Sequence, residues 1–248
     1  MMTGKPIQVE GGSWVPGRWR FMRAAGLLAC GVCVLVSGFA AVQARGLATL
    51  SVSVAGVKPN GVIPAVYAYC TPAAKGHVTD GPNRSPGIKW SKGPAGTASY
   101  AIVMVDSDAP SSFDTANQEG KTISATLKRL NFYHWILVDI PPSVTEIPEG
   151  AESPGHAAKP VGPAKYGLRG ANDLGVFGIV KGPTGGYDGP CPPWNDALAH
   201  HYHFGVYALN VKSLGLTGAF TGAMRSERRR SMRSPAARWS ASTRSTPT

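Results

Sequence analysis

The stretch from Pro141 to Asp196 holds 21 glycines and prolines in 56 residues, and it restricts the fold more than any other feature of the chain. Proline fixes φ and withholds an amide donor, and glycine weakens the interior of helices and strands alike. A long helix cannot run through such a segment, which argues against a helical bundle or coiled coil. A structureless loop of that length is also unusual in a compact domain, so short strands and tight turns are expected within it.

Apolar runs of strand character lie on both sides. Leu50–Val54 alternates apolar and polar residues, the pattern of a half-buried strand. Tyr100–Val105 reads YAIVMV and exits into Asp and Pro; Phe132–Ile140 reads FYHWILVDI and stops at Pro141-Pro142; Tyr202–Leu209 reads YHFGVYAL. Runs this short, rich in aromatic and β-branched residues, favour buried strands over helices. With 43% hydrophobic residues there is material for a sizeable core. The expectation is a mainly β domain, an antiparallel or mixed β-sandwich with few short helices.

The formal charge of +11 invites a nucleic-acid reading, but it is unevenly spread. Residues 1–44 carry +3, residues 45–223 carry +2 and residues 224–248 carry +6. The middle segment is nearly neutral, so binding of nucleic acid by the folded domain is not expected. At the N-terminus, Arg18, Arg20 and Arg23 precede an apolar run from Ala24 to Val42, followed by Gln43-Ala44-Arg45. That is a secretory signal pattern. Residues 1–44 are therefore read as a signal peptide cut after Ala44, with an uncleaved membrane anchor as the alternative, and the product as periplasmic or secreted. Cys30 and Cys33 fall in the segment to be removed. Cys70 and Cys191 remain, and an oxidising compartment permits one disulfide between them or two separate thiols. Both alternatives stand on the sequence.

The polar residues gather at strand ends. Asp106 and Asp108 share a face if the chain is extended, and two close carboxylates call for a cationic or hydrogen-bonding partner. His134 has the parity of Phe132 and Ile136 and offers such a partner. In His200-His201-Tyr202-His203, alternation sends His200 and Tyr202 to one face and His201 and His203 to the other. One zinc ion cannot collect all three histidines without distortion, and no HExxH motif is present. No metal or cofactor is expected. The segment Gly186–Pro193 reads GYDGPCPP, a rigid loop able to pass close to a ligand.

Together these segments resemble the phosphatidylethanolamine-binding protein family, and in particular its bacterial Raf-kinase-inhibitor-like branch. The resemblance rests on DSDAP at 106–110, FYHW at 132–135, GYDGPCPPW at 186–194 and HHYHFGVYAL at 200–209, in the family's order, and spans Val62 to Thr221. It implies a β-sandwich with a small surface pocket for anions such as phosphate or the phosphoethanolamine head group. Asp106, Asp108, His134, Gly189, Pro192, His200 and Tyr202 match the family's pocket positions, and Cys191 stands where some members have Gly. His201 stands where many members have Arg. Past Ala223 the family would continue with a helix and an apolar strand, whereas residues 224–248 contain seven Arg, six Ser and three Thr. This basic tail is expected to be disordered. It is either a natural extension able to touch an anionic membrane or an out-of-frame translation; the abrupt end of the family pattern favours the second.

The resulting expectation is an exported, non-enzymatic binding protein for phosphate-like anions or phospholipid head groups. The histidines and the amides near Gly189 would donate to the anion, and the Asp pair would orient the histidines or receive an ammonium group. Affinity should then fall as pH rises through ~6.5. Two alternatives are an Asp–His acid–base hydrolase of phosphoester or acyl substrates, and a protein-interaction module (a kinase- or protease-inhibitor-like regulator acting through its surface loops). No GxSxG elbow supports the hydrolase. Membrane contact would come through the N-terminal segment or the basic tail.

Overall fold

In a computed structural model, residues 50–153, 155–157, 159–222, 237–238 and 241–242 are described. The proposed signal segment and most of the basic tail lie outside them. Ten strands precede the tail: β1 (Val52–Val54), β2 (Cys70–Pro72), β3 (Val78–Asp80), β4 (Ile88–Trp90), β5 (Ser99–Pro110), β6 (Arg129–Ile140), β7 (Glu146–Ile147), β8 (Gly162–Ala164), β9 (Gly167–Arg169) and β10 (His201–Leu209). Helical structure includes a 3-10 turn at Ala65–Tyr67 and one turn, α1, at Asp173–Val176. The Gly/Pro-rich stretch thus holds β7, β8, β9 and α1, as its composition requires.

The long apolar runs form the centre of the larger sheet, ordered β10-β5-β6-β9-β8, with antiparallel neighbours throughout. A smaller sheet, β1-β4-β7, packs across it, and β2-β3 forms a separate ribbon. Alternation sorts the residues of the large sheet into two cores. Tyr100, Ile102, Met104, Trp135, Leu137, Phe204 and Val206 meet Val54, Ile88, Trp90 and Ile147 of the smaller sheet. On the opposite face, Ala101, Ile136, Val138 and Leu209 are covered by Leu214 and Phe220 from the segment after β10. Two apolar layers around one sheet account for the near-continuous hydrophobicity of YAIVMV and FYHWILVDI.

Two dipeptides of the tail, β11 (Ala237–Arg238) and β12 (Ala241–Ser242), pair antiparallel with β10. These four are the residues of the tail that the structure describes; the rest of the expected disordered tail lies outside the described residues. β10 is bonded to β5 along one edge, and β11 and β12 add to its other edge, as an extended segment can at the rim of a sheet.

Candidate functional site

Two irregularities in the β5–β6 pairing build the site. Met104 opposes Trp135 while Val105 opposes Tyr133, so His134 is the extra residue of a bulge. Asp106 opposes Phe132 while Ala109 opposes Leu130, which sets Ser107 and Asp108 against the single residue Asn131. Bulges re-aim side chains out of strict alternation. His134 consequently packs its buried ring against Phe132 and Tyr202, at centroid distances of 5.0 and 5.2 Å.

These residues open on a cavity of about 430 Å³, whose lining includes Asp106, His134, Gly189, Cys191, Pro192, His200 and Tyr202. Of the residues read from the sequence, only Asp108 is outside that lining. The shared-face argument for the Asp pair fails at the bulge. Asp106 is buried, whereas Asp108 is 23% exposed and accepts from the His201 amide and ring Nδ1 at 2.8 and 2.7 Å. His134 is not the partner of the Asp pair either. Asp106 takes the Asp108 amide on Oδ1 (2.7 Å) and His200 Nδ1 on Oδ2 (2.6 Å).

His200 lies between two carboxylates, with Nδ1 toward Asp106 and Nε2 toward Asp196 at 3.2 Å. Ionised carboxylates only accept, so both ring nitrogens must donate and the ring is an imidazolium. Burial works against that charge, but the hydrogen bonds and charges of Asp106 and Asp196 outweigh it and raise the pKa above 6.5. Asp196 is in turn held by both Arg129 guanidinium nitrogens, at 2.5 and 2.9 Å. Burial pushes its pKa up, yet Arg129, the Leu198 amide and His200 bring it below 3.8. Asp106, His200, Asp196 and Arg129 form a line of alternating charge that sums to zero. With both nitrogens committed, His200 is not placed to donate to an anion, contrary to the role read from the sequence.

His134 behaves differently. Its Nδ1 donates to the Asp188 carbonyl at 2.9 Å. Burial lowers its pKa below 6.5, more than Asp106 and Asp188 raise it. The neutral ring then carries its proton on Nδ1 and offers Nε2 as an acceptor. Tyr202 supplies the complementary group. Its buried hydroxyl hydrogen finds no protein acceptor among the described residues, although the Cys191 backbone amide approaches the oxygen. Burial, and then the charge of Asp106, raise its pKa well above 10, while the nearby Cys191 backbone works the other way. It is therefore a donor at every physiological pH.

A fully buried scaffold holds the loop below. Lys159 Nζ donates to Asp188 Oδ1 and to the Tyr187 carbonyl, both at 2.7 Å. Asn83 and Asn172 donate to the two Asp188 oxygens at 2.8 and 2.7 Å. Asn83 Oδ1 also accepts from the Gly189 amide at 2.8 Å, so that amide is not available to a ligand. Gly189 is required here by the protein itself, since a Cβ would overlap the Tyr67 carbonyl. The Cys70–Cys191 disulfide is formed, with Cα atoms 5.1 Å apart, and ties the loop to β2.

Sequence reasoning missed Asp188, Asp196, Arg129, Lys159, Asn83 and Asn172. Asp196 stands four residues before His200, and Asp188 sits inside the GYDGPCPP segment, so both carried a local signal. Asn83 and Lys159 reach the loop from 106 and 29 residues away and carried none.

Comparison with known proteins agrees with this architecture. The family profile for phosphatidylethanolamine-binding protein matches residues 53–234, beyond the 62–221 legible in the sequence. YbcL of Escherichia coli K12 is 31% identical over 145 residues, covering 58% of this chain and 63% of YbcL. A relative from Aquifex aeolicus is 34% identical over 143 residues, covering 57% of this chain and 63% of its own. YbhB of E. coli is 30% identical over 145 residues, covering 58% of this chain and 72% of YbhB. The chain thus spans just under two thirds of the length of the first two. The crystal structure of E. coli YbcL superposes with a TM-score of 0.56 at 24% identity, over 79% of this chain and 99% of that one. The fold is shared, and the matched segment contains every residue of the pocket. The chain belongs to the phosphatidylethanolamine-binding protein family, in its YbhB/YbcL branch.

Proposed function

We propose that the protein is an exported, non-catalytic binder of phosphate-like groups, free or as the head group of a larger molecule. The observation that carries this reading is the Tyr202 hydroxyl, a buried donor without a protein acceptor among the described residues, in the lining of a cavity. A buried polar group left unpaired costs about 1–3 kcal/mol, and a ligand oxygen would remove that cost. The neighbouring acceptor, His134 Nε2, suits a group that also bears an O–H. A phosphate monoanion has both.

A binding role, rather than acid–base turnover, is supported by His200, whose two nitrogens are each held by a carboxylate. Export is supported by the disulfide, since such bonds persist in oxidising compartments. The lowered pKa of His134 places its conversion to a second donor below pH 6.5. A phosphate monoester loses its one remaining proton above pH ~6. Affinity for a phosphate monoester should therefore fall between pH 5.5 and 8.

Calorimetric titration with inorganic phosphate tests the reading through Tyr202→Phe. The variant should melt close to the parent, because the hydroxyl hydrogen has no protein acceptor to lose. It should bind phosphate ~10-fold or more weakly, the worth of a hydrogen bond to a charged group. Equal phosphate affinity in parent and variant would refute the role of Tyr202.

A further inference from the structure

The polar groups account for only part of the cavity. At ~30 Å³ per water, about 430 Å³ is room for ~14 waters, far more than the five heavy atoms of a phosphate ion need. The rest is walled by apolar side chains, with the rings arranged in sequence. Tyr202 meets His134 at 5.2 Å and His134 meets Phe132 at 5.0 Å. Phe132 stacks on Phe177 at 5.3 Å with planes 23° apart, and Phe113 closes against both. The first three rings are buried, whereas Phe177 is 47% exposed.

Beside it, Val176 and Ile179 are 54% and 55% exposed, so three of the large apolar side chains left in water fall within four residues. Phe177 and Ile179 themselves line the cavity. Exposed apolar clusters at the rim of a polar site mark ligand contacts. The electrostatics point the same way. Asp106 is the one acidic side chain of the lining, and both of its oxygens are already engaged. An ammonium-bearing substituent finds no spare carboxylate there, and an apolar one finds a wall.

We propose that the pocket takes phosphate monoesters bearing a flat apolar substituent, with the phosphate at Tyr202 and His134 and the substituent against Phe132 and Phe177. The assignment rests on the phosphate-binding reading above and adds the class of substituent. Burying one face of a phenyl ring, roughly 60–100 Å² at ~25 cal/mol per Å², corresponds to a gain of ~10-fold or more.

Three probes are titrated into the full chain by calorimetry at pH 5.5, below the ~6 at which a monoester gives up its last proton: inorganic phosphate, phosphoethanolamine and phenyl phosphate. The expected order has phenyl phosphate ~10-fold tighter than phosphate, and phosphoethanolamine no tighter than phosphate. In Phe177→Ser, a change at a half-exposed ring that lowers the melt through lost packing on Phe132 and Phe113 but leaves Tyr202 and His134 in place, phosphate affinity is retained and the advantage of phenyl phosphate is lost. Phosphate binding without a preference for phenyl phosphate overturns this inference and leaves the anion reading standing. The same holds for a preference that survives in Phe177→Ser, or for phosphoethanolamine binding tightest. Failure of all three probes overturns the anion reading itself, and this inference with it.

Discussion

Replacing Lys159 by Met isolates the electrostatics beneath the pocket. The Lys159 ammonium is completely buried, and its partner carboxylate on Asp188 is 4% exposed. Met fills similar volume without charge. Asp188 then keeps one amide donor on each oxygen, from Asn83 and Asn172, but no cation. Removing one member of a buried pair costs about 3–5 kcal/mol. The two remaining donors place Lys159→Met at the lower end, about 3 kcal/mol. With a urea slope of ~2 kcal/mol per M, the unfolding midpoint should fall by ~1.5 M at unchanged slope. Adding Asp188→Asn removes the stranded charge but sets an amide donor against one of the two asparagines. The double variant should therefore recover about half of the loss. A single-variant loss below ~1 kcal/mol, or a double variant no more stable than Lys159→Met, would refute the claim that this pair neutralises the base of the loop.

Other consequences are open to simple assays. The Cys70–Cys191 bond closes a loop of 121 residues, for which chain entropy sets a ceiling of ~5 kcal/mol. Reduction by a dithiol should lower the melting temperature and weaken phosphate binding together, because Cys191 lines the cavity; unchanged affinity after full reduction would contradict the coupling. Burial lifts the Asp173 carboxyl from 3.8 to about 6, although the Tyr133 amide donates to it. A raised carboxyl favours the protonated folded form, so its contribution is intact below 3.8 and is lost as pH rises to about 6. Asp173→Asn should match the parent near pH 3.5 and exceed it in thermal stability at pH 8; an equal difference at both pH values would count against this origin.

The three long strands were legible because two-sided burial leaves continuous apolar runs; the runs lie within three residues of the bounds of β6 and β10, whereas β5 runs on through Asp106–Pro110, which the sequence reading places after the strand. The short strands β2, β3, β4, β7, β8 and β9 were not, since two or three residues carry no period. The cavity residues were mostly legible as unusual polar groups at strand ends, but their pairing was not. Parity arguments assume regular strands, and the two bulges that build the site break parity at His134 and at Ser107–Asp108. That is why Asp106 and Asp108 part company, and why His200, rather than His134, serves Asp106. The choice between a disulfide and two thiols depends on contacts across 121 residues, which no local pattern reports.

The central claim is that His134 accepts from, and Tyr202 donates to, a bound phosphate while His200 stays locked between its carboxylates. Nitrogen-detected NMR of 15N-histidine-labelled protein during a phosphate titration reads this directly. The account predicts a saturable shift of His134 Nε2, with His200 doubly protonated before and after. A titration that leaves His134 unmoved, or that moves only the surface residue His201, would contradict it.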